Sequence, residues 1–119
     1  MNAEKLLETI VLAADDKRAD DIVTLDMTKV SLLADYFVIM SAGSQRQIDA
    51  IVDAIDEKVK AAGGPLPRIE GTKDSKWLLM DYTDIVVHVF LPEERAFYNL
   101  EKLWSEAPLV DVSAWVQEA

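Results

Sequence analysis

Apolar residues fall along this chain in two rhythms, one of about 3.6 residues and one of about two, and the switches between them mark its elements. Residues 3–17 carry the longer rhythm: Ala3, Leu6, Leu7, Ile10, Val11 and Ala14 form a stripe, with Glu4, Lys5, Glu8 and Asp15 to Arg18 largely off it. That pattern predicts an amphipathic helix. Residues 22–26, Ile-Val-Thr-Leu-Asp, predict a strand with Ile22 and Thr24 facing one way and Val23 and Leu25 the other. Residues 27–33 hold neither rhythm and predict a loop with one helical turn. Tyr36 to Met40 is apolar throughout, as in a central strand covered on both faces.

A second helix follows. Ser44 with Gln47 three residues on predicts a capping box, Ile48, Ile51, Val52, Ile55 and Val59 form its stripe, and Gly63-Gly64 supplies the stop. Pro65-Leu66-Pro67 is a rigid connector into a brief edge strand, Arg68-Ile69-Glu70, because prolines at its start cannot donate ladder bonds. Trp77–Tyr82 and Ile85–Leu91 are short, apolar and rich in aromatic or β-branched residues. The gap between them is too short for a crossover helix, so they predict an antiparallel hairpin. Pro92 then stops the strand and suits a first helical turn. Phe97, Leu100, Leu103 and Trp104 recur at helical spacing, predicting one face of a continuous helix. In the tail beyond, Ser113 is placed to cap a short turn carrying Trp115 and Val116.

The order is β-α-β with further strands and flanking helices. It predicts an α/β fold: a single domain, residues 1–106, built on a mixed β-sheet flanked by helices, with 107–119 as a C-terminal tail. The first two long strands are joined by a loop, which argues against a plain doubly wound parallel sheet.

Charge narrows the partners. Twelve Lys and Arg stand against 22 Asp and Glu, a net charge of −10 across 119 residues. No basic run offsets this, so direct nucleic-acid binding is not expected. A basic partner would be steered toward such a surface, although acidity also serves solubility alone. With no cysteine there is no disulfide, thiolate nucleophile or cysteine-held metal. Met1 to Lys5 lacks a basic segment followed by an apolar core, so no secretory signal is expected.

Four stretches in order carry a resemblance: Asp35-Tyr36-Phe37-Val38-Ile39-Met40-Ser41; Ser44-x-Arg46-Gln47; Glu70-Gly71 with Trp77; and Asp81-Tyr82-x-Asp84 through His88 and Phe90 to Arg95-x-Phe97-Tyr98-x-Leu100-Glu101-x-Leu103-Trp104. Together they resemble the ribosomal silencing factor, or Iojap-like, family over residues 3–104. Two departures stand out. The family usually has Gly where Thr83 sits, and S-G-T-S where Ser41-Ala42-Gly43-Ser44 sits. Since Thr tolerates positive φ poorly, the hairpin turn is expected to differ, with Asp84 in the left-handed position. The resemblance implies a nucleotidyltransferase-like core and a non-enzymatic cytoplasmic protein without cofactor or metal. It implies binding to large-subunit ribosomal protein L-fourteen, which sterically blocks association of the ribosomal subunits and represses translation under nutrient limitation. It leaves a homodimer open.

Residue by residue, catalysis finds little support. Nucleotidyltransferases hold phosphate with Gly-Ser at a helix start and two metal ions with an acid pair on a strand. Gly43-Ser44 sits at a helix start, but no D-x-D or D-x-E follows on a strand: Asp49, Asp53 and Asp56 lie on the helix, and Asp81 and Asp84 flank a turn. Ser44 is explained by capping its own helix rather than by an anion. His88, the single histidine, stands mid-strand and reads as a core residue with satisfied nitrogens. A catalytic role would need an acid beside it, with Asp81 or Asp84 the candidates. Trp77 to Tyr82 reads equally as core or as interface from its residues. The resemblance favours interface: Trp77 and Leu78 match the family's docking residues for the ribosomal protein, with Asp81 and Tyr82 beside them, while Tyr98 and Trp104 are expected to pack on the sheet. The rival functions are a metal-dependent nucleotidyltransferase and an acidic adaptor for another basic protein.

Overall fold

A computed structural model describes residues 1–72 and 74–117. The elements run α1 (Ala3–Asp16), β1 (Asp20–Asp26), β2 (Tyr36–Ser41), α2 (Gln45–Ala61), β3 (Arg68–Glu70), β4 (Trp77–Asp81), β5 (Ile85–Phe90), α3 (Pro92–Tyr98) and α4 (Leu100–Leu103). The strands form one five-stranded sheet in the order β1-β2-β5-β4-β3. Only β2 and β5 run parallel; the other neighbours are antiparallel. This is the mixed α/β fold that the alternation of rhythms predicts. Beyond β1, residues 107–117 pack back on the domain: Asp26 N donates to the Pro108 carbonyl at 2.8 Å, and Val110 N to that of Thr24 at 2.8 Å.

The sheet has two unlike faces. On one, Val38, Met40, Leu78, Met80, Val87 and Val89 lie under the apolar stripes of α1 and α2. On the other, Leu25, Ile39 and Phe90 meet Leu100 and Ala107, with Phe37, Trp77 and Trp104 only partly covered. Long helices therefore seal one face, and two short ones leave the other partly open.

Local chemistry accounts for each departure from expectation. The capping box is half formed: Ser44 Oγ accepts from Gln47 N at 3.1 Å, but the Gln47 side chain bypasses Ser44. Its Oε1 accepts from Gly43 N, and its Nε2 donates to the carbonyls of Lys17 and Arg18, tying α2 to the end of α1. β1 begins at Asp20 rather than Ile22, because Asp21 adopts φ 48° and the resulting irregularity lets Asp20 pair with Ser41.

The hairpin turn puts Thr83, not Asp84, at positive φ, 74°. The Asp84 carbonyl is held by the N–H groups of Asp35 and Tyr36, which fixes that peptide, and Asp81 Oδ1 accepts from Thr83 N at 2.7 Å. The reversal is left to Thr83. In the tail, Asp111 rather than Ser113 caps the last turn, its Oδ1 accepting from Ser113 N. Trp115 and Val116 pack against the helix-covered core.

The expected continuous helix after Pro92 is broken. Asn99 ends α3 and starts α4 at φ 45°, a conformation asparagine tolerates better than most residues. The break splits the expected apolar face: Leu100 goes inward, while Phe97 and Leu103 stay 78% and 68% exposed. Arg95 takes an inward position instead. Its Nη1 donates to Ser41 Oγ at 2.9 Å, its Nε to Glu101 Oε1 at 3.2 Å, and Asp21 lies 3.5 Å from Nη2. One guanidinium thus pins α3 and α4 to the start of β1 and the end of β2.

Candidate docking surface

β4 alternates, so the four residues singled out on and beside it divide between the faces. Leu78 and Tyr82 point into the core that α1 and α2 cover, 5% and 3% exposed. The Tyr82 hydroxyl is buried with no hydrogen-bond partner among the described residues. Burial, and then the charge of Asp56, holds its pKa above the ordinary tyrosine value. Trp77 and Asp81 stand on the open face and are half-buried. Asp81 is partly engaged already, through its bond from Thr83 N.

Trp77 is the centre of an aromatic array. Its ring lies 4.8 Å from that of Phe90 at an interplanar angle of 24°, and 4.7 Å from Tyr98. Phe97 meets Tyr98 edge-on at 5.1 Å. The array thus rises from a buried ring, Phe90, through Trp77 to the exposed Tyr98 and Phe97. Tyr98 does pack on the sheet as expected, but it also reaches the surface, and Phe97 is directed outward. Neither was singled out for docking. The cue that marks them is Asn99, a residue suited to breaking a helix, between Tyr98 and Leu100. Trp104 packs as expected, edge-on to Phe37 at 6.1 Å.

His88 lies beneath this array, 4% exposed. Its cross-strand neighbours are Leu79 and Ile39, so neither candidate acid pairs with it. Trp77 Nε1 donates to its Nδ1 at 3.2 Å, whereas Nε2 is buried and unpartnered among the described residues. The core reading therefore holds, with one nitrogen satisfied rather than two. Burial lowers its pKa to about 4, so the ring is neutral near pH 7.

At the start of α2, Ser44 Oγ and Gln47 Oε1 take the N–H groups of Gln47 and Gly43, so two of the donors there are engaged internally, as a capping role requires. Among the described residues no three His, Asp or Glu side chains converge on a common point.

The family of the chain is decided by likeness. The family model described as "Ribosomal silencing factor during starvation" matches residues 1–119. The chain belongs to this family. It is 46% identical over 112 residues to the ribosomal silencing factor RsfS of Bacillus subtilis, covering 94% of this chain and 95% of that one. The chloroplastic protein Iojap of Zea mays is 38% identical over 109 residues, covering 87% of this chain and 45% of that protein. A crystal structure from Chromobacterium violaceum superimposes with a TM-score of 0.83 at 30% identity, covering 100% of this chain and 91% of that one. Another, from Bacillus halodurans, does so at 0.80 and 41% identity, covering 92% and 99%. The silencing-factor family thus has this five-stranded mixed sheet, and the resemblance carried by the four sequence stretches is confirmed.

Proposed function

We propose that this protein silences ribosomes by docking through the open face around Trp77 onto a basic large-subunit protein, L-fourteen. Seated there it occupies the surface that the small subunit must meet, and translation falls when nutrients are scarce. The observation that carries the reading is the aromatic array. Trp77 is half-desolvated and rigidly stacked, and Tyr98 and Phe97 extend it into solvent. Rigid aromatic anchors of this kind dominate interface energetics. Family membership supports the ribosomal setting, and the net charge of −10 supports a basic partner.

In this reading Trp77 and Asp81 meet the partner, while Leu78 and Tyr82 hold the strand from beneath. Exclusion is steric, so it calls for no catalytic residue, cofactor or metal, and it places the protein in the cytoplasm with the ribosomes. Trp77→Ala should weaken binding to purified L-fourteen by about 2 kcal/mol or more, as truncating an interface hot spot does. Calorimetry on the folded variant measures this, and unchanged affinity removes Trp77 from the interface. Co-sedimentation with separated subunits tests the whole reading. Recovery in the large-subunit fraction is expected; absence from it rejects the proposal.

A further inference from the structure

The Trp77 indole N–H ends on a residue that is expensive to bury. An indole nitrogen can only donate, so Nδ1 of His88 is the unprotonated nitrogen and the ring proton sits on Nε2. That Nε2–H has no partner among the described residues and is shut away from solvent. A buried unpaired donor is destabilising. Its ladder neighbours Leu79 and Ile39 are apolar, as are the nearby rings of Phe37 at 4.8 Å and Phe90 at 6.2 Å. A phenylalanine would fill the space without the penalty. What it would lack is the acceptor for Trp77.

That acceptor is what distinguishes one orientation of the indole. Stacking on Phe90, with Tyr98 tilted against it at 47°, sets the plane of the ring but discriminates weakly between its edges. The bond to His88 turns the nitrogen edge inward and leaves the opposite, hydrocarbon edge toward the open face. Resting on the docking function proposed above, we infer that His88 is a positioning residue: it fixes the Trp77 ring in the orientation that docks, at the expense of fold stability.

Two substitutions separate this from an ordinary core role, because they drive stability and docking in opposite directions. His88→Phe removes both the acceptor and the orphaned donor. It should leave the fold as stable or more so, and weaken binding to L-fourteen about tenfold, in line with the loss of one hydrogen bond. His88→Asn keeps an oxygen near the position of Nδ1. It should destabilise the fold yet bind within about twofold of the unsubstituted protein, the rescue expected if the acceptor is what matters.

In a Trp77→Phe background, which has no N–H to orient, His88→Phe should have no further effect on binding. The Trp77 indole N–H resonance, followed in the free protein, should lose protection from exchange in the Phe variant and keep it in the Asn variant. The inference is overturned if the unsubstituted protein binds and affinity simply tracks stability across the variants, or if His88→Phe binds as before. If the unsubstituted protein does not bind at all, the docking function falls and this inference with it.

Discussion

His88 makes the stability of the whole domain sensitive to pH through one side chain. Its folded pKa of about 4 lies below the ordinary 6.5, with burial as the cause. The unfolded chain therefore takes up this proton at a higher pH than the folded one. The stability that goes with the neutral ring is fully present above pH 6.5 and is lost as pH falls toward 4. Each unit of difference is worth about 1.4 kcal/mol, so the loss across that window approaches about 3 kcal/mol. Urea midpoints measured through the window should fall more steeply for the unsubstituted protein than for His88→Phe. Carboxylates titrate in both and cancel in the comparison; parallel curves would assign the acid sensitivity to them alone. Sequence showed that this histidine stands mid-strand among apolar residues, hence its burial. It did not show that only one nitrogen would be satisfied, because the partner indole starts the neighbouring strand and reaches it diagonally. Thr83 departs from the expected turn for a related reason. Its own preference is against positive φ, but the N–H groups of Asp35 and Tyr36, distant in sequence, hold the Asp84 carbonyl, and the reversal falls to Thr83.

At the level of elements, the long helices and the hairpin were legible because each carries its own signal: stripes on α1 and α2, two apolar runs with a short gap, and Pro92 at a helix start. The α3–α4 segment was not. Its apolar residues keep helical spacing straight through Asn99, and periodicity alone does not register a one-residue break. Arg95 enforces the break from outside the pattern by anchoring α3 to Ser41 and Asp21 while reaching forward to Glu101 on α4. The left-handed Asn99 is thus what turns Phe97 and Tyr98 toward Trp77 and the solvent. Asn99→Gly should be close to neutral, since glycine adopts that conformation freely, whereas Asn99→Ala should cost about 1 kcal/mol. Thermal unfolding of the pair measures the difference. Equal melting temperatures would show that the backbone reversal is not what Asn99 supplies. If the alanine variant also docks more weakly than its stability explains, the break is part of how the surface is presented.

On the scale of the whole molecule, the proposed docking divides between specific contacts, assigned to the open face, and approach, assigned to the net charge of −10. That charge was readable at once, as was the single domain. The pairing of Pro108 to Val110 along β1 was not, since the apolar run Pro108-Leu109-Val110 is too short to hold either rhythm and so does not show which edge it would follow. The two contributions to docking separate by salt. Steering acts over a screening length of about 10 Å at 0.1 M salt and about 30 Å at 0.01 M, whereas stacked rings buried in an interface are screened little. Association with a basic ribosomal protein should therefore slow by about tenfold or more between those two conditions, with the dissociation rate nearly unchanged. Stopped-flow mixing of the two purified proteins gives both rates. Trp77→Ala should show the converse, a faster dissociation with the salt slope of association retained, because removing a neutral ring leaves the field of the protein intact. An association rate indifferent to salt would mean that the acidic surface faces away from the partner, and would leave the aromatic array as the sole determinant of docking.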